Sequence, residues 1–143
     1  MPLAYEVIAN AEGNDVSVFK GGGVEKNVSL GEAYAIRAMM HFDLLSVVGK
    51  SVEVDSEGEY IPYVSVFPST FNPPVSNKIF MGRVIDDLKK ARTLVGSYDL
   101  ENSGMSSLNR FFGSTGSGFY SNRGTRLNYY AGTALLPRAC MWP

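Results

Sequence analysis

The sequence predicts a mainly α-helical protein whose helices pack as hairpins and are joined by long irregular loops. Two stretches carry this prediction, because their apolar residues recur at helical spacing: Gly31–Gly49 and Asn77–Val95. A third apolar stretch, Arg126–Trp142, lies near the end of the chain. A length of 143 residues suits one domain with its own core, so we expect residues 1–143 to form a single domain.

The first helix is expected over Leu3–Ala11, because Leu3, Val7 and Ala11 share one helical face and Gly13 follows. The next stretch, Asp15–Asn27, contains three consecutive glycines and is predicted to be a flexible connector. A phosphate-binding loop would need a preceding strand and a Gly-Lys-Ser/Thr ending, and the sequence shows neither.

The second helix is predicted over Gly31–Gly49, with Ser29 as its N-cap and Glu32 completing a capping box. Its helical wheel shows two apolar bands on opposite sides. The first band holds Ala35, Ala38, Phe42 and Leu45, and the second holds Ala33, Ile36, Met40, Leu44 and Val47. A helix with two apolar bands is expected to lie between two layers of helices, as in an α-solenoid of TPR-like repeats.

Polar residues lie between the two bands of this helix. Glu32 and Asp43 share one seam and are expected to form salt bridges to a neighbouring helix. Arg37 and His41 share the other seam, where His41 is expected to be a hydrogen-bonded structural residue.

The segment Lys50–Asn72 is predicted to be irregular, with an extended stretch over Tyr60–Phe67. Asn77–Val95, capped by Ser76, is a clearly amphipathic helix. Its apolar stripe consists of Phe80, Met81, Val84, Ile85, Leu88, Ala91 and Val95.

The stretch Gly96–Gly124 is predicted to be one long loop, since it is rich in glycine, serine and asparagine. Its arginines and aromatic residues would contact a ligand, or its aromatic residues would simply pin the loop to the protein.

The third apolar stretch is predicted to be a helix that kinks or ends near Leu136, because Pro137 removes a main-chain donor and clashes with the preceding turn. Cys140 has apolar neighbours and is expected to be a buried thiol.

Composition excludes several function classes. A net charge of −1 provides no general attraction to nucleic acid, and no apolar run approaches the roughly 18 residues of a membrane span. One histidine and one cysteine are too few for a zinc site, and no Gly-x-Ser-x-Gly motif occurs. We therefore predict no catalytic residues, no metal and no cofactor.

Three stretches resemble the SusD/RagB family of surface nutrient-binding lipoproteins of Bacteroidetes. GEAYAIRAMMHFDLLSVVG resembles the family's GEAxxLRAxxxFDLxxxFG helix. YIPYVSVF with PPVSNKIFMGRVIDDLKKARTLV, and RLNYYAGTALLPRACMW, resemble two later family segments in the same order. The resemblance spans most of residues 4–142 and is limited to the N-terminal helical part of the longer family chains.

The resemblance implies a non-catalytic protein that binds glycans or other nutrients beside a TonB-dependent, SusC-like transporter. It also implies a position at the surface of the outer membrane, with a lipid anchor that we expect to lie outside this chain. Binding of this kind uses aromatic platforms on loops. The aromatic candidates are Tyr60, Tyr63, Phe67 and Phe71.

Two alternatives remain open from the sequence. The chain could be a fragment with no independent binding, whose last helix exposes apolar residues and favours self-association. The two apolar bands of Gly31–Gly49 would also suit a helical-hairpin module that binds another protein and has no small-molecule ligand.

Overall fold

The computed structural model describes residues 2–65, 71–102 and 118–142. Over these residues the chain is mainly helical, which confirms the predicted fold class. The α-helices are α1 (Pro2–Gly13), α2 (Gly22–Val48), α3 (Asn77–Asn102) and α4 (Tyr129–Cys140), and short 3-10 turns lie at Val16–Val18, Gly118–Tyr120 and Arg123–Thr125.

The helices pack mainly against their neighbours in chain order, so α1 contacts α2, α2 contacts α3, and α3 contacts α4. Two apolar clusters hold them together. One joins α2, α3 and α4 and contains Ala38, Phe42, Leu45, Tyr63, Phe80, Met81, Val84, Leu88 and Ala139. The other joins α1, α2 and α3 and contains Ile8, Ala11, Leu30, Ala33, Tyr34, Ala35 and Ala91.

Helix α2 begins at Gly22, nine residues before the predicted start. Ser29 therefore lies inside the helix, and the predicted capping box with Glu32 is wrong. The predicted connector is also wrong for its second half, because packing of Val28 and Leu30 in the interior keeps this part helical. The predicted end is confirmed, since the Gly49 N–H donates to the Leu45 carbonyl at 2.8 Å.

The two bands of α2 have different environments. The first is buried in the core, where Ala38 and Leu45 are 0% and 1% exposed. In the second band only Ala33 is fully buried, since α1 packs beside it, whereas Val47 is 81% exposed. The prediction of layers on both sides is therefore wrong for the C-terminal half of the second band, over the residues that the structure describes.

Helix α3 continues to Asn102, although Gly96 was predicted to begin a loop. Gly96 remains helical because it is buried against α4, where a Cβ atom would lie 3.2 Å from the Tyr129 ring. Of the predicted loop Gly96–Gly124, residues 103–117 lie outside the described residues.

Helix α4 is capped by Asn128, whose side chain accepts a hydrogen bond from the Ala131 N–H at 2.9 Å. The helix includes Pro137 and ends at Cys140, so of the two predicted outcomes an end near Leu136 is wrong, and a kink there stays a prediction. Cys140 is exposed and the buried-thiol prediction is also wrong. Adjacent helical residues point about 100° apart, and here Ala139 takes the buried position.

Candidate functional site

The four aromatic residues predicted to bind a ligand differ in their exposure to solvent. Tyr63 is 4% exposed and therefore offers no face to solvent, whereas Phe71 is 80% exposed. Tyr60 is half-buried, and its hydroxyl donates to the Asp55 carboxylate at 2.9 Å. Phe67 lies outside the described residues. The structure thus separates Tyr63 from the exposed aromatic surface, and the ligand-binding role of Tyr60 and Phe71 stays a prediction.

Tyr63 belongs to a polar cluster inside the core. Its hydroxyl donates to Asp87 Oδ2 at 2.5 Å, and its ring stacks on His41 with ring centroids 4.2 Å apart. Arg37 donates to the two oxygens of the same carboxylate through Nε and Nη2, at 2.7 and 2.8 Å. Burial, reinforced by the Asp87 charge, raises the pKa of the Tyr63 hydroxyl well above its usual value, so the hydroxyl stays protonated and acts as a donor.

His41 is hydrogen-bonded on both ring nitrogens, which confirms its predicted structural role. Nε2 accepts from the Val64 main-chain N–H at 3.2 Å, so the proton is assigned to Nδ1, which donates to the Arg37 carbonyl at 2.8 Å. Burial lowers the pKa of His41, consistent with this neutral form. Tyr5 lies 3.2 Å from Nε2 through its hydroxyl, and burial raises the pKa of Tyr5 to about 12.

A second charged cluster joins α2, α3 and the start of α4. Arg123 is 1% exposed and donates to both oxygens of Asp99, at 2.9 and 2.8 Å. It also donates to Glu32, whose other oxygen accepts from Arg126. Asp99 accepts a further bond from the Tyr129 main-chain N–H at 2.8 Å. Arg123 and Arg126 thus tie this segment to carboxylates of α2 and α3, whereas the sequence reading expected the aromatic residues to pin it.

Both acidic residues of the polar seam on α2 form salt bridges, but only one of them pairs with a neighbouring α-helix as expected. Asp43 pairs with Arg138 of α4 at 3.1 Å, which confirms the prediction of a bridge to a neighbouring helix. Glu32 pairs with two arginines that precede α4, so its partners lie in the connecting segment and not on an α-helix.

An apolar groove of about 390 Å³ lies between α1 and α2, a volume within the range of small-molecule sites. Its apolar lining consists of Leu3, Ala4 and Val7 of α1, Ala33, Ile36 and Met40 of α2, and Phe119. Glu32 and Arg126 lie at the groove and bind each other. The sequence signalled residues on both helices, as the second apolar band of α2 and the face of α1 that carries Leu3 and Val7, but it did not indicate that these faces meet.

The described part of the chain holds no group of three or more histidine, cysteine, aspartate or glutamate residues that could bind a metal ion. Nor does any helix within the described ranges have the length and apolar character needed to cross a membrane.

A solved structure shares this arrangement of helices. A SusD-like carbohydrate-binding protein from Bacteroides vulgatus matches 98% of this chain with a TM-score of 0.66 and 19% sequence identity. The chain has a SusD-like helical fold. It spans 26% of that protein, or about a quarter of its length. No protein-family model matches the sequence, and no curated protein matches it.

The SusD-like fold confirms the resemblance seen in the sequence. The two charged clusters described above hold this fold together, since one joins α2 to α3 and the other joins both to the start of α4. Among the residues that the structure describes, surfaces open to a partner or ligand include the groove, the exposed C-terminal half of the second band on α2, and Phe71 before α3.

Proposed function

We propose that this protein is a non-catalytic binding component of a glycan-uptake system. The observation that supports the proposal is the likeness in fold, over 98% of the chain, to a SusD-like protein that binds carbohydrate. At 19% identity the likeness concerns the fold, so the choice of glycan depends on side chains particular to this chain.

The proposed glycan surface lies in the segment between α2 and α3. Phe71 is 80% exposed, and an aromatic face offers apolar area at low conformational cost, which suits the C–H faces of a sugar ring. Tyr60 is partly exposed and is oriented by Asp55. Tyr63 supports this segment from inside, through its bond to Asp87.

The proposed partner is a TonB-dependent, SusC-like transporter at the surface of the outer membrane. The uncovered half of the second band of α2 supports the presence of a protein partner, because Leu44 and Val47 are 44% and 81% exposed. Contiguous apolar surface on a folded protein commonly marks an interaction site.

Calorimetric titration with a panel of oligosaccharides tests glycan binding. We expect one class to bind, and Phe71→Ala to weaken its binding about tenfold, since truncation of an aromatic contact costs roughly 1–2 kcal/mol. The matched control is Leu100→Ala, because Leu100 is 54% exposed on α3, away from the aromatic segment in the sequence. Absence of binding by the wild-type chain, or equal affinity of the three proteins for the bound class, would contradict the proposed surface.

Copurification tests whether the chain binds the proposed transporter. The chain should recover a SusC-like transporter from solubilised outer membranes, and Val47→Glu should reduce the recovery, since it places a charge on the exposed band. Recovery of the transporter by the variant at the wild-type level would contradict the assignment of this band.

The second candidate is a helical module that binds another protein without any small-molecule ligand. The same exposed band on α2 favours it. Sedimentation separates the candidates. Self-association that Val47→Glu abolishes, together with no response to any oligosaccharide, would support the helical module over glycan binding.

A further inference from the structure

One wall of the groove comes from a segment outside α1 and α2. Residues 118–128, here called the strap, contain two 3-10 turns and lead into α4. Phe119 and Arg126 of the strap line the groove together with residues of α1 and α2. The width of the groove therefore depends on how the strap is attached to α2.

Glu32 is the charged link between the strap and α2. Its two carboxylate oxygens accept separate bonds, one from Arg123 and one from Arg126. Arg126 in turn donates to the Phe119 carbonyl at 2.5 Å, and its guanidinium lies 5.4 Å from the centre of the Phe119 ring. One carboxylate thus fixes both strap residues that form the wall.

The other attachments of the strap lead mainly to α3. Arg123 binds Asp99 through two bonds, and Tyr120 stacks on Tyr98 with ring centroids 4.4 Å apart. The Tyr120 hydroxyl also lies beside Gly21, at the start of α2 and apart from the groove lining. These contacts can hold the strap to the body of the protein when the bonds to Glu32 are lost.

We propose that Glu32 acts as a latch that closes the strap over the apolar groove between α1 and α2. With the latch closed, Phe119 and Arg126 cover one side of the groove. When the bonds between Glu32 and the strap are removed, the wall moves away from α2, and the apolar floor formed by Ala33, Ile36 and Met40, which is already partly exposed at Ile36, becomes more accessible. The bonds between Arg123 and Asp99 keep α4 in place during this opening.

Trypsin cleavage measures opening of the strap, because trypsin cleaves after arginine and both partners of Glu32 are arginines. Arg126 is followed by Leu127, and cleavage of a folded segment requires local opening. Glu32→Gln removes the charge with little change in shape. We expect cleavage after Arg126 to become about tenfold faster, since bonds to charged groups stabilise by more than neutral ones. Binding of an apolar fluorescent dye should rise in parallel.

Asp43→Asn is the matched control. Asp43 lies on the same helix and pairs with Arg138, but this pair is exposed, with side-chain accessibilities of 49% and 57%, and it lies outside the groove. Its neutralisation should leave both the cleavage rate after Arg126 and dye binding unchanged. A Glu32→Gln protein that keeps its circular dichroism spectrum and behaves as the wild type in both assays would overturn the proposal.

If Glu32→Gln fails to fold, Arg126→Met provides a second test of the latch. This substitution affects a partly exposed side chain and leaves the buried bonds of Arg123 to Asp99 in place. It should increase dye binding with little change in the helical spectrum. Wild-type dye binding by folded Arg126→Met would overturn the latch.

Discussion

Arg37 of α2 binds both carboxylate oxygens of Asp87 of α3 inside the core, at 2.7 and 2.8 Å. The two residues are each 8% exposed, and the Tyr63 hydroxyl adds a third bond to the carboxylate. The pair is therefore a satisfied buried ion pair, and loss of one partner would leave the other charge uncompensated.

Asp87→Ala should lower the free energy of unfolding by about 3–5 kcal/mol, because Arg37 would remain buried without its partner. The preceding residue provides the control. Asp86 is exposed, so Asp86→Ala should change the free energy of unfolding by less than about 0.5 kcal/mol. Urea unfolding of both variants measures the difference, and similar values would contradict the buried pair.

Gly31→Ala should destabilise the protein, because Gly31 lies where α2 and α3 approach closely. A Cβ atom there would lie 2.5 Å from Val95 Cγ1 and 3.0 Å from the Ala91 carbonyl oxygen. Gly82 is the matched control, since it is exposed on α3 and has nothing within 4 Å of its Cβ position. Gly82→Ala should stabilise by up to about 1 kcal/mol. Stabilisation by both substitutions in thermal melts would show that the contact at Gly31 is not tight.

Stability should fall as the pH drops below about 6.5, the pKa of an unperturbed histidine. Burial lowers the pKa of His41 in the folded state, so below that pH the unfolded chain binds more protons than the folded one. The contribution of His41 is complete above the unfolded pKa and is lost as pH falls toward the folded pKa. Urea unfolding at pH 7.5 and 5.5 measures this change in the free energy of unfolding with pH.

His41→Gln is the control for the pH prediction, because His41 is the one histidine of the chain. The variant is less stable at both pH values, since it disturbs the bonds to Val64 and Arg37. Its stability should nevertheless differ less between pH 7.5 and 5.5 than that of the wild type. An equal pH slope in the two proteins would assign the effect to other groups.

Pro137→Ala should raise the free energy of unfolding by about 1–3 kcal/mol, because alanine restores an N–H inside α4 and removes a clash with the preceding turn. Pro73→Ala is the comparison, since Pro73 is exposed and lies outside the helices. It should leave stability unchanged or slightly lower, because the unfolded chain gains freedom. A destabilising Pro137→Ala would show that Pro137 is favourable where it stands.

The sequence by itself determined where most helices lie and which faces enter the core. Helical periodicity is local, and the stripe from Phe80 to Val95 has the spacing that folding then buries, so α3 could be predicted without knowledge of its partners. The same holds for the band of α2 that contains Ala38 and Leu45. The order of three motifs was also enough to indicate the SusD-like fold.

Only the tertiary structure decided which residues of low helix propensity become helical and which residues distant in the sequence come into contact. Gly96 and Pro137 disfavour helix locally, yet each lies inside a helix of the packed fold. Glu32 and Arg123 are 91 residues apart in the sequence, and nothing in the spacing of either indicates the other. Such pairs arise because packing of the helices brings their surfaces together, and that packing is a property of the whole chain.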